Sequence, residues 1–407
     1  MTRVSRLFVI VLMCAGCDSD PAASDAGRDA AAAPDAASAD AGGTDAGRVD
    51  AGSADAAADG GADDVRVAET RTEGCWSLDR VAFPGARAID LALTADGTPR
   101  VAVIADFAAW LVEPAGEGRW RAARIGGVDP AFSSWITLGI DGDGRSHVLY
   151  SFGVAEGGEQ LGTVYATDAS GEPVLRKIGG VSTTDGEHRL EHATAYTEDG
   201  RVRFLGSTWS DNGTRFDAFA DIIEVGDTVT GTPVLTVENT PDRFLEEPLV
   251  VTPRPGDGAW AAIGARGQAV IAPLRDGATP ETVRGGGAGR PSLAFDASGD
   301  PWVAFSDNHG TFFSDRLVVA HRDGDGWVEE IAEDEGLTIG QTGTAVDGSG
   351  AVHVVFGNVR HAVRDGGGTW SVTTIGSGEA PALRESGGVL HLAYFESEAI
   401  HVGRCAP

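Results

Sequence analysis

The sequence is poor in positive charge. Its 407 residues include 61 Asp and Glu against 31 Lys and Arg, which gives a formal net charge of −30 at pH 7, and Lys177 is the single lysine. Nucleic-acid binding needs a basic surface that releases counterions from phosphates, and adhesion to anionic headgroups needs basic clusters. The charge balance therefore excludes nucleic acid as a partner and also excludes adhesion to anionic lipid by charge alone.

Long apolar runs are also scarce. The run at residues 7–13, behind Arg3 and Arg6, is too short to span a bilayer but has the form of a signal-peptide core. A signal peptide over residues 1–16 predicts that the chain is exported.

The end of this run is Cys14-Ala15-Gly16-Cys17. It resembles the lipobox of bacterial lipoproteins, where small residues precede a cysteine that is lipidated and becomes the new N-terminus; Cys14 departs from the aliphatic residue usual there. The resemblance implies a lipid anchor on Cys17 and a place in the bacterial cell envelope, on the periplasmic side or at the cell surface. An ordinary secretory signal is the alternative, and the choice of inner or outer membrane stays open.

Residues 17–73 are mainly Asp, Ala, Gly and Ser without apolar periodicity. A charged segment with so little to bury cannot offset its ordering entropy. The sequence predicts a disordered tether here, with an acidic binding tail as the alternative.

A repeated unit begins after residue 75, namely an apolar strand, a turn rich in Asp and Gly, and a second strand. The last turn glycines are residues 97, 144, 200, 258, 299, 350 and 388, about 48 residues apart on average, which is the length of a propeller blade. Runs of four to six apolar residues between turns favour strands over helices. The predicted fold is therefore all-β, a single seven-bladed β-propeller of four-stranded antiparallel blades over residues 74–407, most simply a monomer.

The two ends of this region complete each other. After the last repeated hairpin only residues 399–404 remain, enough for a third strand, and residues 76–81 match the outer strand at 370–375 in spacing. We therefore expect the N-terminal strand to close the last blade. Cys75 and Cys405 flank these strands, and in an oxidising compartment they predict a disulfide; two unpaired thiols are the alternative.

The segment at residues 292–307, with a Trp at 327, is similar to the repeats of bacterial exported propellers, which are loosely similar to sialidase-type and lectin propellers. Turns such as Asp-Ala-Ser-Gly at 296–299 resemble Asp-boxes without their full Ser-x-Asp-x-Gly-x-Thr-Trp order. Sialidases also carry an Arg-Ile-Pro segment and a Tyr at the site. This chain has no Arg-Ile-Pro and only four tyrosines, so we expect no sialidase activity.

No cofactor or metal site is predicted. The His-x-x-Glu-His pattern at 188–192 would need a helix to bind zinc, yet the repeat places His192 at the start of a strand. The Asp-Gly clusters at 141–144 and 323–326 coincide with hairpin turns, which favours turn formation over calcium binding.

A ligand would meet the loops after the second strands, around the central channel. Aromatic, amide and carboxylate groups there suit a sugar or a peptide, although solvated loops are the alternative. The candidate ligand-binding residues are Trp209, Asp211, Asn212, Asp307, Asn308 and His309.

From the residues alone, a non-catalytic binding or scaffold propeller for glycan or protein ligands is favoured, and an enzyme is not. The alternative is a glycan hydrolase or lyase that uses Asp211 and Asp307 as acid and base.

Overall fold

The computed structural model describes residues 64–127, 135–152, 162–167, 174–178, 181–183, 186–188, 190–210, 215–220, 232–238, 249–265, 267–275, 277–307, 315–337 and 339–407. Every helix or strand within these ranges is a β-strand, as the short apolar runs between turn glycines require. None of the described residues forms a helix able to cross a membrane.

The first three strands are β1 (Asp64–Val67), β2 (Glu69–Glu73) and β3 (Trp76–Ala82). The fold has seven antiparallel sheets, which we call blades 1 to 7. Strand β1 belongs to blade 1, and β2 and β3 belong to blade 7. Blade 1 contains β4 (Ala88–Leu93), β5 (Pro99–Ala105), β6 (Ala108–Gly116) and β7 (Arg119–Gly127). Blade 2 contains β8 (Ile136–Ile140), β9 (Ser146–Phe152), β10 (Gly162–Thr167) and β11 (Val174–Ile178), and a separate ribbon of β12 (Val181–Thr183) and β13 (Gly186–His188) follows.

The remaining blades repeat this plan. Blade 3 contains β14 (Leu190–Glu198), β15 (Arg201–Ser210), β16 (Arg215–Ala220) and β17 (Thr232–Glu238). Blade 4 contains β18 (Leu249–Arg254), β19 (Gly258–Ala265), β20 (Gln268–Pro273) and β21 (Glu281–Arg284). Blade 5 contains β22 (Ala288–Phe295), β23 (Pro301–Asp307), β24 (Asp315–Asp323) and β25 (Gly326–Leu337). Blade 6 contains β26 (Thr342–Val346), β27 (Val352–Phe356), β28 (Arg360–Arg364) and β29 (Trp370–Thr374), and blade 7 contains β30 (Glu379–Ser386), β31 (Val389–Glu396) and β32 (Ala399–Cys405).

The innermost strands of the blades contact each other in a closed circle. β4 contacts β8, and contacts continue through β14, β18, β22, β26 and β30, which contacts β4 again. The chain therefore forms an all-β propeller around a central channel.

The ends of the ring meet in blade 7. β3 pairs antiparallel with β32 in the register Trp76↔Cys405 to Ala82↔Ala399. Directly beside this pairing lies the Cys75–Cys405 disulfide, with Cα atoms 5.1 Å apart and a sequence separation of 330. The predicted disulfide is thus confirmed.

The predicted fold needs correction at its outer edges. It gave every blade four strands, closed the last blade with the N-terminal strand, and placed residues 17–73 in a disordered tether. Blades 1 and 7 instead have five strands each. The first described strand, β1, pairs with β7 of blade 1, and β2 pairs with β3. Residues 64–73 therefore belong to the folded domain, because the open edges of two blades offer them backbone hydrogen bonds.

The core lies between neighbouring blades. Strand residues alternate between two faces, and each face packs against the next blade, so one apolar cluster joins blades 7 and 1, another joins blades 4 and 5, and a third joins blades 5 and 6. Blades with both faces covered explain why the inner strands read as nearly continuous apolar runs.

Tryptophans of the outer strands link four of the blades, namely 1, 5, 6 and 7, to the blade before. Their indole N–H groups donate across the boundary in four pairs: Trp76 to Nδ1 of His361 (3.2 Å), Trp120 to Asp79 (3.1 Å), Trp327 to Glu281 (2.8 Å) and Trp370 to Glu330 (2.7 Å). This bond gives the repeated tryptophan a structural role.

The Asp-Gly turns are stabilised by hydrogen bonds from backbone N–H groups to the Asp carboxylate within each turn. Oδ1 of Asp141 accepts the backbone N–H of Asp143 (3.0 Å) and of Arg145 (2.8 Å), and Oδ2 lies 3.2 Å from Nε2 of His147. Asp296, Asp347 and Asp365 accept the same two backbone bonds in their own turns. The carboxylates thus stabilise hairpin turns.

Candidate functional site

The central channel holds a cavity with a volume of about 730 Å³, walled by the inner strands of all seven blades. We call the end at which these strands begin the channel mouth. A cavity of this size accommodates a small ligand or a few sugar units.

The strand register brings chemically different residues to one level of the mouth. The N–H of Arg87 donates to the carbonyl of Ile104, Trp135 exchanges hydrogen bonds with Ser151, and His192 pairs with Ser207. Each of these partners lies seven residues after its turn glycine. Trp135 and His192 therefore occupy equivalent positions in blades 2 and 3, and the equivalent residue of blade 1 is Ala88, which pairs with Ile104. Arg87 directly precedes Ala88, and Arg87, Trp135 and His192 all line the channel.

Trp135 and His192 form the centre of this group. Their ring centroids lie 5.8 Å apart with the planes tilted by 40°. The backbone N–H of Trp135 donates to Oγ of Ser151 at 3.3 Å. The side chain of Trp135 is 5% exposed and packs in an apolar cluster of blades 2 and 3, so it supports the imidazole of His192 from one side.

His192 lies at a β-bulge, where the pairing of β14 with β15 shifts between Leu190 and His192. Bulges re-aim a side chain at barrel rims and active sites. Among the described residues Nδ1 of His192 is buried without a hydrogen-bond partner, and so is Oγ1 of the nearby Thr208. Burial lowers the pKa of His192 to about 4, so the imidazole is neutral at pH 7 and can accept a proton or a hydrogen bond.

Deeper in the channel, Asp90 is engaged in the scaffold. Its Oδ1 accepts the N–H of Leu91 (2.8 Å) and a guanidinium N–H of Arg384 (3.1 Å), and its Oδ2 accepts Oγ1–H of Thr137 and the N–H of Leu138 (both 2.9 Å). Four donors from three blades hold this carboxylate, so Asp90 ties blades 7, 1 and 2 together.

The predicted ligand-binding residues fall on two separate blades. Trp209 lies in β15 of blade 3, opposite Phe216, and Asp307 ends β23 of blade 5. Blade 4 stands between them, so the structure does not bring these two together. Asp211, Asn212, Asn308 and His309 lie outside the described residues, as does Cys17.

Asp307 is surrounded by arginines. It is 1% exposed, with Oδ2 at 2.8 Å from Arg316 and Oδ1 at 3.4 Å from Arg284 of blade 4. Arg284 also pairs with Glu329, and Arg316 lies 3.9 Å from Asp334. The structure thus places Asp307 at the centre of an ion-pair network between two blades.

Arg87, Trp135 and His192 were missed as a group because the search for candidates followed the second strands of the repeats. Alignment of the repeats on their turn glycines does not put the three residues in one column, because they lie 10, 9 and 8 residues before Gly97, Gly144 and Gly200. The sequence alone therefore carries no signal that groups them. Within the described ranges no group of three or more His, Cys, Asp or Glu is arranged to hold a metal ion.

No family model and no curated protein matches the sequence. Among solved structures, the chain is similar to an α-L-arabinanase of Penicillium chrysogenum in complex with arabinobiose, at 12% identity over 67% of this chain and 93% of that chain with a TM-score of 0.47. It is similar to an α-L-arabinofuranosidase of Fusarium graminearum at 9% identity, over 68% and 94%, with a TM-score of 0.48. It is also similar to a lectin of Aleuria aurantia at 12% identity, over 71% and 95%, with a TM-score of 0.43. At these identities the likeness is one of fold.

These comparisons correct the functional prediction. The sequence analysis favoured a non-catalytic binding or scaffold module over an enzyme. Glycoside hydrolases stand beside a lectin among the similar structures, so the preference for a non-catalytic module is not upheld.

Proposed function

We propose that this chain cleaves a neutral glycan at the channel mouth, as a glycan hydrolase, with His192 as the proton acceptor. The observation that carries the proposal is the neutral imidazole of His192, with a buried Nδ1 that has no partner among the described residues, beside Trp135 in the channel. Trp135, which is buried, would support the His192 ring from blade 2, and His192 would take the proton of the attacking water.

The charge of the chain favours a neutral substrate. A net charge of −30 repels polyanionic chains at long range. Elimination by a lyase needs a uronate, whose carboxylate acidifies the proton that is removed, so the same repulsion disfavours that reaction. Hydrolysis of a neutral polysaccharide has no such requirement.

For the general acid of the reaction we keep the residue predicted from the sequence. Hydrolysis needs a group that protonates the leaving oxygen, and Asp90 is held by four donors. Asp211 follows directly on β15 in the sequence, the strand that pairs with the His192 strand β14, and we retain it as the candidate acid.

The test uses the full chain with linear arabinan and other neutral polysaccharides, and measures release of reducing ends. We expect His192→Ala to lower kcat/KM by about 100-fold or more, the usual contribution of a general base. His391→Ala is the matched control, because His391 is also buried but lies outside the channel wall.

The pH profile gives a second readout. Because the pKa of His192 is lowered to about 4, kcat/KM should persist through pH 6 and fall only as the pH approaches 4. A midpoint near the ordinary histidine value of about 6.5 contradicts the assignment of His192. Unsaturated products would show elimination instead, and binding without any cleavage would refute catalysis.

We also propose that the chain is exported and anchored through Cys17. The lipobox-like residues support this, and so does the Cys75–Cys405 disulfide, since disulfides persist in oxidising compartments. Labelled palmitate should enter the wild-type chain and not Cys17→Ala, which should leave the membrane fraction. A labelled Cys17→Ala chain, or an unlabelled wild type, would refute the anchor.

A further inference from the structure

The turn between β5 and β6 is built against the usual stereochemical preference. Ala105 pairs with Ala108, so the turn has two residues, Asp106 with φ 46° and Phe107 with φ 58°. Positive φ at both central positions is the type I′ geometry, in which Gly is strongly preferred at the second position. Phe at this position is strained, because its Cβ crowds the backbone.

Blade 4 provides the comparison within the same chain. Ala265 pairs with Gln268, which leaves another two-residue turn, and its second residue is Gly267 with φ 68°. The place of Gly267 in blade 4 is the place of Phe107 in blade 1. The fold therefore accepts glycine at this position, and the phenylalanine is not required by the turn.

Phe107 is also the one aromatic among the large exposed hydrophobic side chains of the described residues, at 61% exposure. Backbone strain and an exposed apolar ring are two separate costs at one residue, and such residues concentrate at functional sites. A purely structural role explains neither cost, since an exposed ring contributes little to the core.

The turn lies at the rim of the channel mouth. The carbonyl of Ile104, just before the turn, accepts the N–H of Arg87, and Arg87 lines the channel. Asp106 and Arg87 are exposed, as are Ser397 and Glu398 of blade 7, whose carbonyls accept the N–H of Gly85 and Phe83. A single flat ring among polar groups fits a sugar, which offers a C–H face and hydroxyl edges. A protein partner would need a larger apolar patch.

We propose that Phe107 is an aromatic subsite on the rim that stacks on a sugar ring of a neutral glycan whose neighbouring units occupy the channel mouth. This inference rests on the proposed function and adds a second contact for an extended substrate. The glycan would then be bound outside the channel and cleaved at the channel mouth.

The test compares Phe107→Gly, which copies the blade 4 turn, with Phe107→Trp, in the full chain. The probe is linear arabinan with the other neutral polysaccharides of the cleavage assay, and the readouts are affinity electrophoresis and Tm. We expect Phe107→Gly to raise Tm while it weakens binding about 5-fold, in the range of one aromatic contact, and Phe107→Trp to keep the wild-type affinity. Ile331→Ala is the control, because Ile331 is also an exposed apolar residue, at 51%, on an outer strand.

Wild-type affinity in Phe107→Gly would overturn the subsite. The outcome is separate from that of the cleavage assay. Weakened binding in Phe107→Gly without any cleavage by the wild type would support the subsite and refute hydrolysis. Cleavage that depends on His192, together with unchanged binding in Phe107→Gly, would support hydrolysis and refute the subsite.

Discussion

At the scale of the residue, a series of buried hydrogen bonds at blade 6 fixes the protonation of His361. Trp76 donates to Nδ1 of His361, and Nε2 of His361 lies 3.1 Å from Nδ1 of His353, whose Nε2 lies 3.1 Å from Asp347. An indole can only donate, so His361 donates onward through Nε2, and His353 donates to the carboxylate. The imidazole of His361 is therefore neutral in the folded protein.

This series of hydrogen bonds predicts that acid lowers the stability of the folded protein. Burial, followed by the neighbouring His353, lowers the pKa of His361 to about 3, against about 6.5 in an unfolded chain. Between these values the unfolded state binds more protons, so the free energy of unfolding falls as the pH falls from 6.5 toward 3, by up to about 1.4 kcal/mol per pH unit for this residue. Burial lowers the pKa of His192 as well, with the same sign.

Urea unfolding between pH 6.5 and 4.5 measures the effect above the range where most carboxylates titrate. His361→Asn should be less stable than the wild type at pH 7 but should lose stability less steeply as the pH falls. A slope equal to that of the wild type would show that His361 titrates normally in the fold.

At the scale of the element, the inner hairpins could be predicted because their turn glycines and apolar runs are local signals. Strands β1 and β2 could not. The sequence of β2 is polar throughout and that of β1 is only Asp-Val-Arg-Val, and their strand structure comes from the free edges of β7 and β3. Side chains reinforce them: Arg71 donates to the hydroxyl of Tyr394 at 2.8 Å, and the guanidinium of Arg66 lies 3.9 Å from the ring centre of Phe83. These partners are distant in sequence, so no local pattern reveals them.

The site was predictable to a similar degree. The repeat located the channel and the face on which a ligand would meet it, but the choice of residues needed the register. His192 is opposite Ser207 only because of a bulge, and the ring of Trp135 beside it belongs to the neighbouring blade. The strain at Phe107 depends on the turn geometry, which the sequence Asp-Phe does not predict.

At the scale of the whole molecule, the disulfide joins residues 330 positions apart and so restricts the unfolded chain strongly. A chain-entropy estimate for a loop of this length is about 5 to 6 kcal/mol. We expect the double variant Cys75→Ser/Cys405→Ser to unfold at a lower guanidinium concentration than the wild type, with a free energy of unfolding lower by at most this amount. The wild type in reductant is the control and should match the variant. An unchanged midpoint would show that strand pairing alone closes the ring.

The order of strands and disulfide along the chain has a mechanical consequence. A pull on the N-terminal side of the domain first peels β1 and then β2 away, since both are edge strands. It then reaches Cys75 before it reaches Trp76, and the sulfur bridge transfers the load to Cys405. The disulfide thus acts as a stop: tension can strip the outer edges of two blades, but it cannot unzip β3 from β32, and the ring stays closed under load.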